Sequence, residues 1–285
     1  MPPAKHAKTN TSAAALDSPI TTPAEKKQVE ERVAIGANVV YETIRREGED
    51  ELRRPAAALA WSGFAAGLSM GFCLVAEAVL AAHLPDAPWR PLISRFGYCV
   101  GFLIVILGRQ QLFTENTLTV VLPVLLHKDR KTLFNVSRLW AVVLASNIFG
   151  TAIFAFVIAK IPLFDPQVQQ AFQDIGVAHL GASFGIAFTR AIFAGWLIAL
   201  MVWLLPGAEA SRVVIVIIIT YLVGLANLNH IIAGSTTMFY LVSTHTISWT
   251  QYFTSFFLPT LLGNILGGVS MVAALGHAQV VGGKS

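Results

Sequence analysis

Six apolar stretches, each close to the length that spans a bilayer, run through this chain, and polar residues interrupt two of them. About 20 consecutive apolar residues cross the ~30 Å hydrocarbon layer as a helix. Only 13% of the side chains are charged, against roughly 25% in a soluble domain. The sequence therefore predicts an all-α membrane protein whose six crossings lie near residues 58–82, 94–126, 138–160, 180–205, 212–242 and 253–275.

The two interruptions lie at residues 108–117 and 227–235, and each joins polar side chains to a glycine. Irregular backbone at membrane depth is tolerated only where protein or a water-filled path surrounds it. Three crossings in each half give the two halves opposite orientations, so an inverted repeat would bring the breaks together near the midplane. Half-helices that begin there direct their positive ends at the centre, which favours an anion.

Four segments are expected along the chain. Residues 1–21 are rich in Ala, Thr, Ser and Pro and predict a disordered cytoplasmic tail. Residues 22–55 predict a cytoplasmic amphipathic helix that lies on the membrane or on a neighbouring subunit, or else acts as a regulatory plug. Residues 56–278 form the six-helix transport domain, and 279–285 form a short cytoplasmic tail.

Charge predicts the orientation of the chain in the membrane. The loop at residues 127–138 is basic, whereas residues 83–91 and 161–178 carry three aspartates. Because Lys and Arg collect in cytoplasmic loops, both termini are expected in the cytoplasm of a bacterial-type inner membrane.

Other classes of function find no support in the sequence. It has no nucleophile triad and no cluster of metal ligands, so neither an enzyme nor a metal or cofactor site is expected. The net charge of +4 arises mainly from the tail and loops and does not predict nucleic-acid binding. Cys73 and Cys99 fall in crossing segments and are expected to be free, buried thiols.

Four short motifs around the breaks and in the third and last crossings point to a known family. They are Leu112-Phe113-Thr114 after Gly108, Ser146-Asn147-Ile148-Phe149-Gly150, Asn229-His230-Ile231-Ile232-Ala233-Gly234 and Gly263-Asn264-Ile265-Leu266-Gly267-Gly268. In their order and spacing, over residues 58–275, the chain resembles the formate/nitrite transporter family. The resemblance implies an aquaporin-like six-transmembrane-helix bundle with an inverted repeat and two broken helices. It also implies a homopentamer with one pore per subunit, which carries small monovalent anions of weak acids.

The resemblance also implies roles for individual residues. The central pair would be Thr114 and His230, with apolar constrictions on either side. By position, Leu112 and Phe113 would line the cytoplasmic constriction, and Tyr98 and Val223 would lie near the periplasmic one.

The chemistry of histidine suits a proton-linked pathway. Moving a bare carboxylate through an apolar constriction costs several kcal/mol even after relaxation. For an acid of pKa about 3.7, forming the neutral species at pH 7 costs only about 4.5 kcal/mol. Histidine, with an ordinary pKa of ~6.5, can supply and recover that proton near neutral pH. His230 is therefore predicted to be the proton donor and relay, and Thr114 its hydrogen-bonding partner.

Two glycines depart from the pattern of the family. Gly195 and Gly234 stand where members commonly have asparagine, while Asn264 remains as an expected residue of the pathway. Because glycine has no side chain, we expect extra room at both positions and a larger or differently bound substrate.

Several ionisable residues are expected to modify the pathway. Glu115 follows Thr114: if ionised and facing the pore it would repel an anion, whereas a protonated side chain or one paired with Arg109, the simpler expectation, would not. His179 falls where members often have a lysine that attracts anions, and it would carry less charge at neutral pH. In the first and fourth crossings, Glu77 and Arg190 are costly alone in lipid, so a mutual pair or a pair across a subunit interface is conceivable.

Two alternative functions stay open from the sequence. One is an aquaporin-like conduit for neutral small solutes, although the paired Asn-Pro-Ala boxes of such pores are missing. The other is a membrane protein of the same fold that does not transport.

Overall fold

The computed structural model describes residues 22–24, 27, 35–271 and 274. The expected tails at 1–21 and 279–285, and most of the expected helix before residue 35, lie outside the described residues. The chain divides into two compact units, 1–35 and 36–285, and every element below belongs to the second.

The described part of this second unit is helical and contains no strand. Its helices are α1 Ala37–Arg53, α2 Ala56–His83, α3 Arg90–Ser94, α4 Cys99–Leu107, α5 Asn116–Thr119, α6 Val121–His127, α7 Arg130–Lys160, α8 Pro166–Val177, α9 Phe184–Leu204, α10 Arg212–Leu225, α11 Ile231–Ser243, α12 Trp249–Gln251 and α13 Leu258–Met271. Short 3-10 turns link α3 to α4 and α9 to α10, and a π-helical segment, Tyr252–Phe257, joins α12 to α13.

Two of the six crossings are discontinuous, as the sequence predicts. Five helical segments among the described residues are long and apolar enough to cross a membrane, judged by length and composition: Ala56–His83, Arg90–Leu107, Arg130–Lys160, Phe184–Gly207 and Trp249–Met271. The other expected crossing consists of α10 and α11, with a break between them. The second crossing likewise resumes beyond a break, as α5 and α6.

Each break is held by one buried asparagine from the third helix of its own half. Asn147 on α7 accepts a hydrogen bond from Phe113 N at 2.9 Å and donates to the backbone oxygens of Gln111 and Gly63. A break has no helix ladder to satisfy its backbone groups, so a side chain must do so. This asparagine therefore replaces the missing ladder.

The second half repeats the same arrangement. Asn264 on α13 accepts from Ile231 N at 2.8 Å and donates to the backbone oxygens of Asn229 and Ala191. Each asparagine thus ties the break of its half to the first helix of that half. The pattern supports the internal repeat that the sequence suggests.

The half-helices before the breaks end in the same turn. Arg109 and Asn227 have left-handed backbone conformations, with φ of 49° and 50°. The next residue in each case donates its N–H to a carbonyl five positions back, Gln110 to Val105 and Leu228 to Val223. Such an αL turn satisfies carbonyls at a helix C-terminus.

Glycines allow α2 and α7 to approach closely, as the four-residue spacing at 63, 67 and 71 predicts. A Cβ atom at Gly67 would lie 2.2 Å from the carbonyl oxygen of Asn147. No side chain fits there, so this seam places Asn147 within reach of the first break.

Helix α1 packs on the transport domain of its own chain. Val40 and Ile44 are buried in one cluster with Leu118 and Leu122. A Cβ atom at Gly48 would lie 2.1 Å from the carbonyl oxygen of Thr119. The apolar face of α1 therefore contacts α5 and α6, beside the first break, rather than remaining free for lipid.

An ionic contact also fixes α1 to the last residue of α6. Glu49 accepts a hydrogen bond from His127 Nε2 at 3.1 Å and pairs with Arg45 on its own helix. The hydrogen bond from His127, followed by the charges of Arg45 and His127, lowers the pKa of Glu49 below its ordinary value. A lowered carboxyl pKa adds stability above the unfolded-state pKa, and this stability is lost as the pH falls through the folded-state value.

Glu49→Gln is expected to loosen α1 without unfolding the transport domain. Amide hydrogen exchange in α1 should become about two- to fivefold faster, because a partly exposed ion pair contributes up to ~1 kcal/mol. Acidification should produce a similar change in the wild type. Glu42→Gln is the matched control, since Glu42 pairs with Arg45 and Arg46 of α1 itself. Equal exchange in both variants would contradict a tie through His127.

Candidate functional site

The two breaks meet at a hydrogen bond between Thr114 and His230. The distance between Thr114 Oγ1 and His230 Nε2 is 2.7 Å, and both side chains are buried. Thr114 belongs to the first break, and His230 is the residue on which α11 begins. The contact that the sequence predicts between these two residues is present.

A second hydrogen bond orients the imidazole ring. His230 Nδ1 accepts from the backbone N–H of Ala233 at 3.2 Å, so the ring caps the N-terminus of α11. Because Nδ1 is an acceptor, the proton of the neutral ring lies on Nε2 and is donated to Thr114 Oγ1. The Thr114 hydroxyl hydrogen can then be donated to a bound solute.

Buried apolar side chains lie next to this pair. Phe102 on α4 contacts the imidazole edge-on, with ring centroids 5.0 Å apart. Leu112, Phe113 and Phe102 are each at most 1% exposed. Within so apolar a shell a charge loses its hydration, and the Thr114–His230 pair provides hydrogen bonds in its place.

Two cavities border the breaks, and a third shares wall residues with one of these two. The α1-side cavity, of about 470 Å³, is bounded by α1 and by Leu112 and Glu115. The central cavity, of about 20 Å³, has room for about one water molecule beside His230. The Arg95-side cavity, of about 420 Å³, includes Arg90 and Arg95 in its wall.

The α1-side cavity is acidic. The carboxyl side chains in its wall outnumber the arginines, which are Arg109 and Arg212. The carboxyl side chains are Glu47, Asp50, Glu51, Glu115 and Glu209. Three of these belong to α1, so the position of this helix sets the charge of the cavity.

Two comparisons of sequence place the chain in a family. The family model described as formate/nitrite transporter matches residues 38–278. The chain is 44% identical over 254 residues to the inner membrane protein YfdC of Escherichia coli, a match that covers 88% of this chain and 81% of that one. The chain belongs to the formate/nitrite transporter family. It is also 25% identical to the formate-nitrite transporter of Plasmodium vivax, over 79% of this chain and 78% of that one.

Solved structures of the formate/nitrite transporter family have the same fold. A pentameric formate channel with formate bound superposes with a TM-score of 0.70 at 20% identity, over 79% of this chain and 98% of the other. An FNT family ion channel superposes with a TM-score of 0.69 at 18% identity, over 85% and 98%. The predicted six-helix fold is confirmed, and these relatives are transporters and channels rather than enzymes.

The expectation of extra room at the two glycines is wrong. A Cβ atom at Gly195 would lie 2.4 Å from the backbone oxygen of Asn264, so this glycine permits close packing of α9 on α13. At Gly234, which borders the central cavity, a Cβ atom would lie 2.4 Å from the ring of Phe256. Backbone and an aromatic ring therefore fill the volume that a larger side chain would need at these two positions.

Two expected ion pairs are not formed among the described residues. Glu115 and Arg109 both border the α1-side cavity, but no guanidinium nitrogen of Arg109 lies within 4.0 Å of a carboxyl oxygen of Glu115. Glu77 pairs with Arg95 rather than Arg190, because α2 packs on the 3-10 turn that carries Arg95. The spacing of charged residues along the sequence does not identify Arg95 as the partner of Glu77.

The other predicted residues lie around the pair. Tyr98 and His179 border the central cavity, whereas Val223 is fully buried in α10. Burial lowers the pKa of His179, and the charges of Arg95 and Arg190 lower it further. His179 therefore carries little charge at neutral pH. Asn264 holds the backbone of the second break, as described above.

Sequence reasoning missed Arg95 and Phe102. Arg95 is a cation within a predicted crossing, and an intramembrane charge is by default a functional candidate. A cation within a predicted crossing is a sufficient signal to identify Arg95 from the sequence. Phe102 lies among other apolar residues of α4, and only its contact with His230 distinguishes it.

Proposed function

We propose that this protein carries small monovalent anions of weak acids, of the formate and nitrite type, across the membrane in a proton-linked manner. The observation that carries the proposal is the hydrogen bond between Thr114 and His230, at which the two broken helices meet inside an apolar shell. Membership of the formate/nitrite transporter family supports the class of solute.

The anion would receive its proton at the centre of the pathway. Neutralisation of an acid of pKa about 3.7 at pH 7 costs about 4.5 kcal/mol, less than the cost of moving a bare charge through an apolar constriction. The imidazolium form of His230 would pass its Nε2 proton to the anion through the Thr114 hydroxyl and return to the neutral ring. Nδ1 can take a second proton only after its hydrogen bond with Ala233 N–H breaks, so the imidazolium would be transient.

The oligomeric state and the membrane location are proposed from those of similar proteins. We propose a homopentamer in a bacterial inner membrane with both termini in the cytoplasm, because a related solved structure is a pentameric formate channel and a relative is named an inner membrane protein. Under this orientation the α1-side cavity faces the cytoplasm and the Arg95-side cavity faces outward.

A conduit for neutral solutes is the second candidate. It is favoured by the hydrogen bond between Ala233 N–H and Nδ1, which holds His230 in its neutral form. The acidic α1-side cavity also opposes the entry of anions.

Flux measurements separate these functions. Proteoliposomes with a pH-sensitive dye inside would receive formate, nitrite, acetate, lactate or hydrosulfide at two external pH values. Proton-linked uptake is expected to acidify the interior and to be faster at the lower pH, because the proton enters with the anion. Anion uptake without acidification would contradict proton linkage. Stopped-flow entry of a small polyol without anion uptake would support the neutral conduit.

A further inference from the structure

Arg95 lies at the junction of two cavities. Its side chain borders both the central cavity and the Arg95-side cavity, as do Glu77 and Ile175. The central cavity also includes His230 in its wall. A solute that moves from the Arg95-side cavity to His230 therefore passes the guanidinium group.

Two hydrogen bonds hold this guanidinium in place. Arg95 Nη1 donates to Glu77 Oε1, and Nη2 donates to Asn227 Oδ1 at 2.7 Å. Asn227 is the left-handed residue of the second break. Within residues 35–271, Nε and the second hydrogens of Nη1 and Nη2 have no further hydrogen-bond partner. The guanidinium group of Arg95 is thus held in one orientation and still has N–H groups that can donate to a ligand.

Stability alone does not explain this ion pair. The side chains of Glu77 and Arg95 are only 4% and 13% exposed. Removing two charges from water can cost as much as their attraction returns, so a buried pair contributes little net stability. The pair is instead distinguished by its position, which joins α2 to the second break beside the pathway.

We propose that Arg95 is an anion-binding site that receives the transported anion before it reaches Thr114 and His230. The proposal rests on the proposed function and adds a second site to it. The ligand class is a small planar monovalent anion with two oxygens, a carboxylate or nitrite. The guanidinium fork matches two such oxygens, which a point charge such as lysine does not.

Glu77 would limit the affinity of this site. Its carboxylate binds the same guanidinium and competes with the anion for positive charge. Conduction requires binding that is strong enough to admit the solute and weak enough to release it. The Glu77–Arg95 pair meets both requirements, because the anion gains hydrogen bonds without facing an uncompensated cation.

Other charges near the junction do not provide the same site. Arg90 borders the Arg95-side cavity but pairs with Asp86 at 3.2 Å. Asp174, in the same wall, accepts a hydrogen bond from Gln170 at 3.0 Å. Neither contact involves the breaks.

Formate flux into proteoliposomes, measured over a range of formate concentrations, tests the site through two variants with opposite expected effects. Glu77→Gln leaves the guanidinium without a competing carboxylate, so the half-saturation concentration should fall several-fold. The double variant E77Q/R95Q keeps the size and polarity of both side chains but removes both charges. Its half-saturation concentration should rise about tenfold, the effect of losing a charge-assisted hydrogen bond.

The outcomes separate this site from the proposed function. Absence of flux in the wild type for formate, nitrite, acetate, lactate and hydrosulfide alike overturns the proposed function and this site with it, and if another carboxylate or nitrite is carried instead of formate, the same two variants are compared with that anion. Wild-type flux with the same half-saturation concentration in both variants overturns the site alone, and so does an equal shift in Arg90→Gln. Should the double variant fail to assemble, the Glu77→Gln result decides, and an unchanged value overturns the site.

Discussion

His230→Ala is expected to abolish proton-linked anion uptake in proteoliposomes. The substitution removes the Nε2–H that is donated to Thr114 and, with it, the imidazole ring at the meeting point of the breaks. A positioned proton donor commonly contributes a factor of about 10²–10⁴ to a proton-transfer step. We therefore expect coupled flux to fall at least about a hundredfold, to the level of protein-free vesicles.

His230→Asn is the matched control for structure. The asparagine side chain can accept the Ala233 N–H and cap α11, whereas alanine loses a cap contribution of about 0.5–2 kcal/mol. The asparagine variant should therefore keep the thermal stability and oligomeric state of the wild type while losing interior acidification. Undiminished acidification in both variants would refute the proton-donor role of the ring.

Asn147→Ala is expected to destabilise the protein and to reduce flux. Each buried polar group that loses its partner costs about 1–3 kcal/mol, and the substitution removes the partner of Phe113 N and of Gln111 O. Hydrogen bonds between intact membrane helices contribute a smaller average of about 0.6 kcal/mol. That average does not apply here, because the backbone groups of a break have no hydrogen bonds within a helix and depend on the asparagine. Thermal unfolding of the purified protein should show a clearly lowered Tm.

The internal repeat provides a comparison for this result. Asn264→Ala should lower the Tm by a similar amount, because Asn264 makes the equivalent three hydrogen bonds to the second break. Asn135→Ala is the control on α7, since the Asn135 side chain is only partly buried and makes no hydrogen bond within residues 35–271. A drop in Tm for Asn135→Ala as large as that for Asn147→Ala would contradict the role of the amide.

The crossings and breaks could be predicted from the sequence because a bilayer imposes strong constraints. Segment length and the intolerance of lipid for unpaired backbone locate the helices and their interruptions. The pairing of Thr114 with His230 is implied by the resemblance to the formate/nitrite transporter family, since two facing breaks do not by themselves select one residue from each. The roles assigned to these residues stay predictions until flux is measured.

Contacts between side chains of different helices could not be predicted in the same way. The partner of Glu77 depends on how α2 rotates against the turn before α4, and the spacing of charges along the chain does not encode this rotation. The space around Gly195 likewise depends on how closely α13 approaches. A missing side chain indicates either an opening or a tight contact, and only the distance to the neighbouring backbone distinguishes them.

The unequal charge of the two large cavities has an electrical consequence for the proposed anion pathway. The α1-side cavity carries an excess of carboxylates, whereas the Arg95-side cavity has acidic and basic groups in balance. Fixed charge at one mouth lowers the local concentration of ions of the same sign there. An anion current through such a pore would rectify, with easier entry from the balanced mouth, and the rectification would weaken as added salt screens the carboxylates.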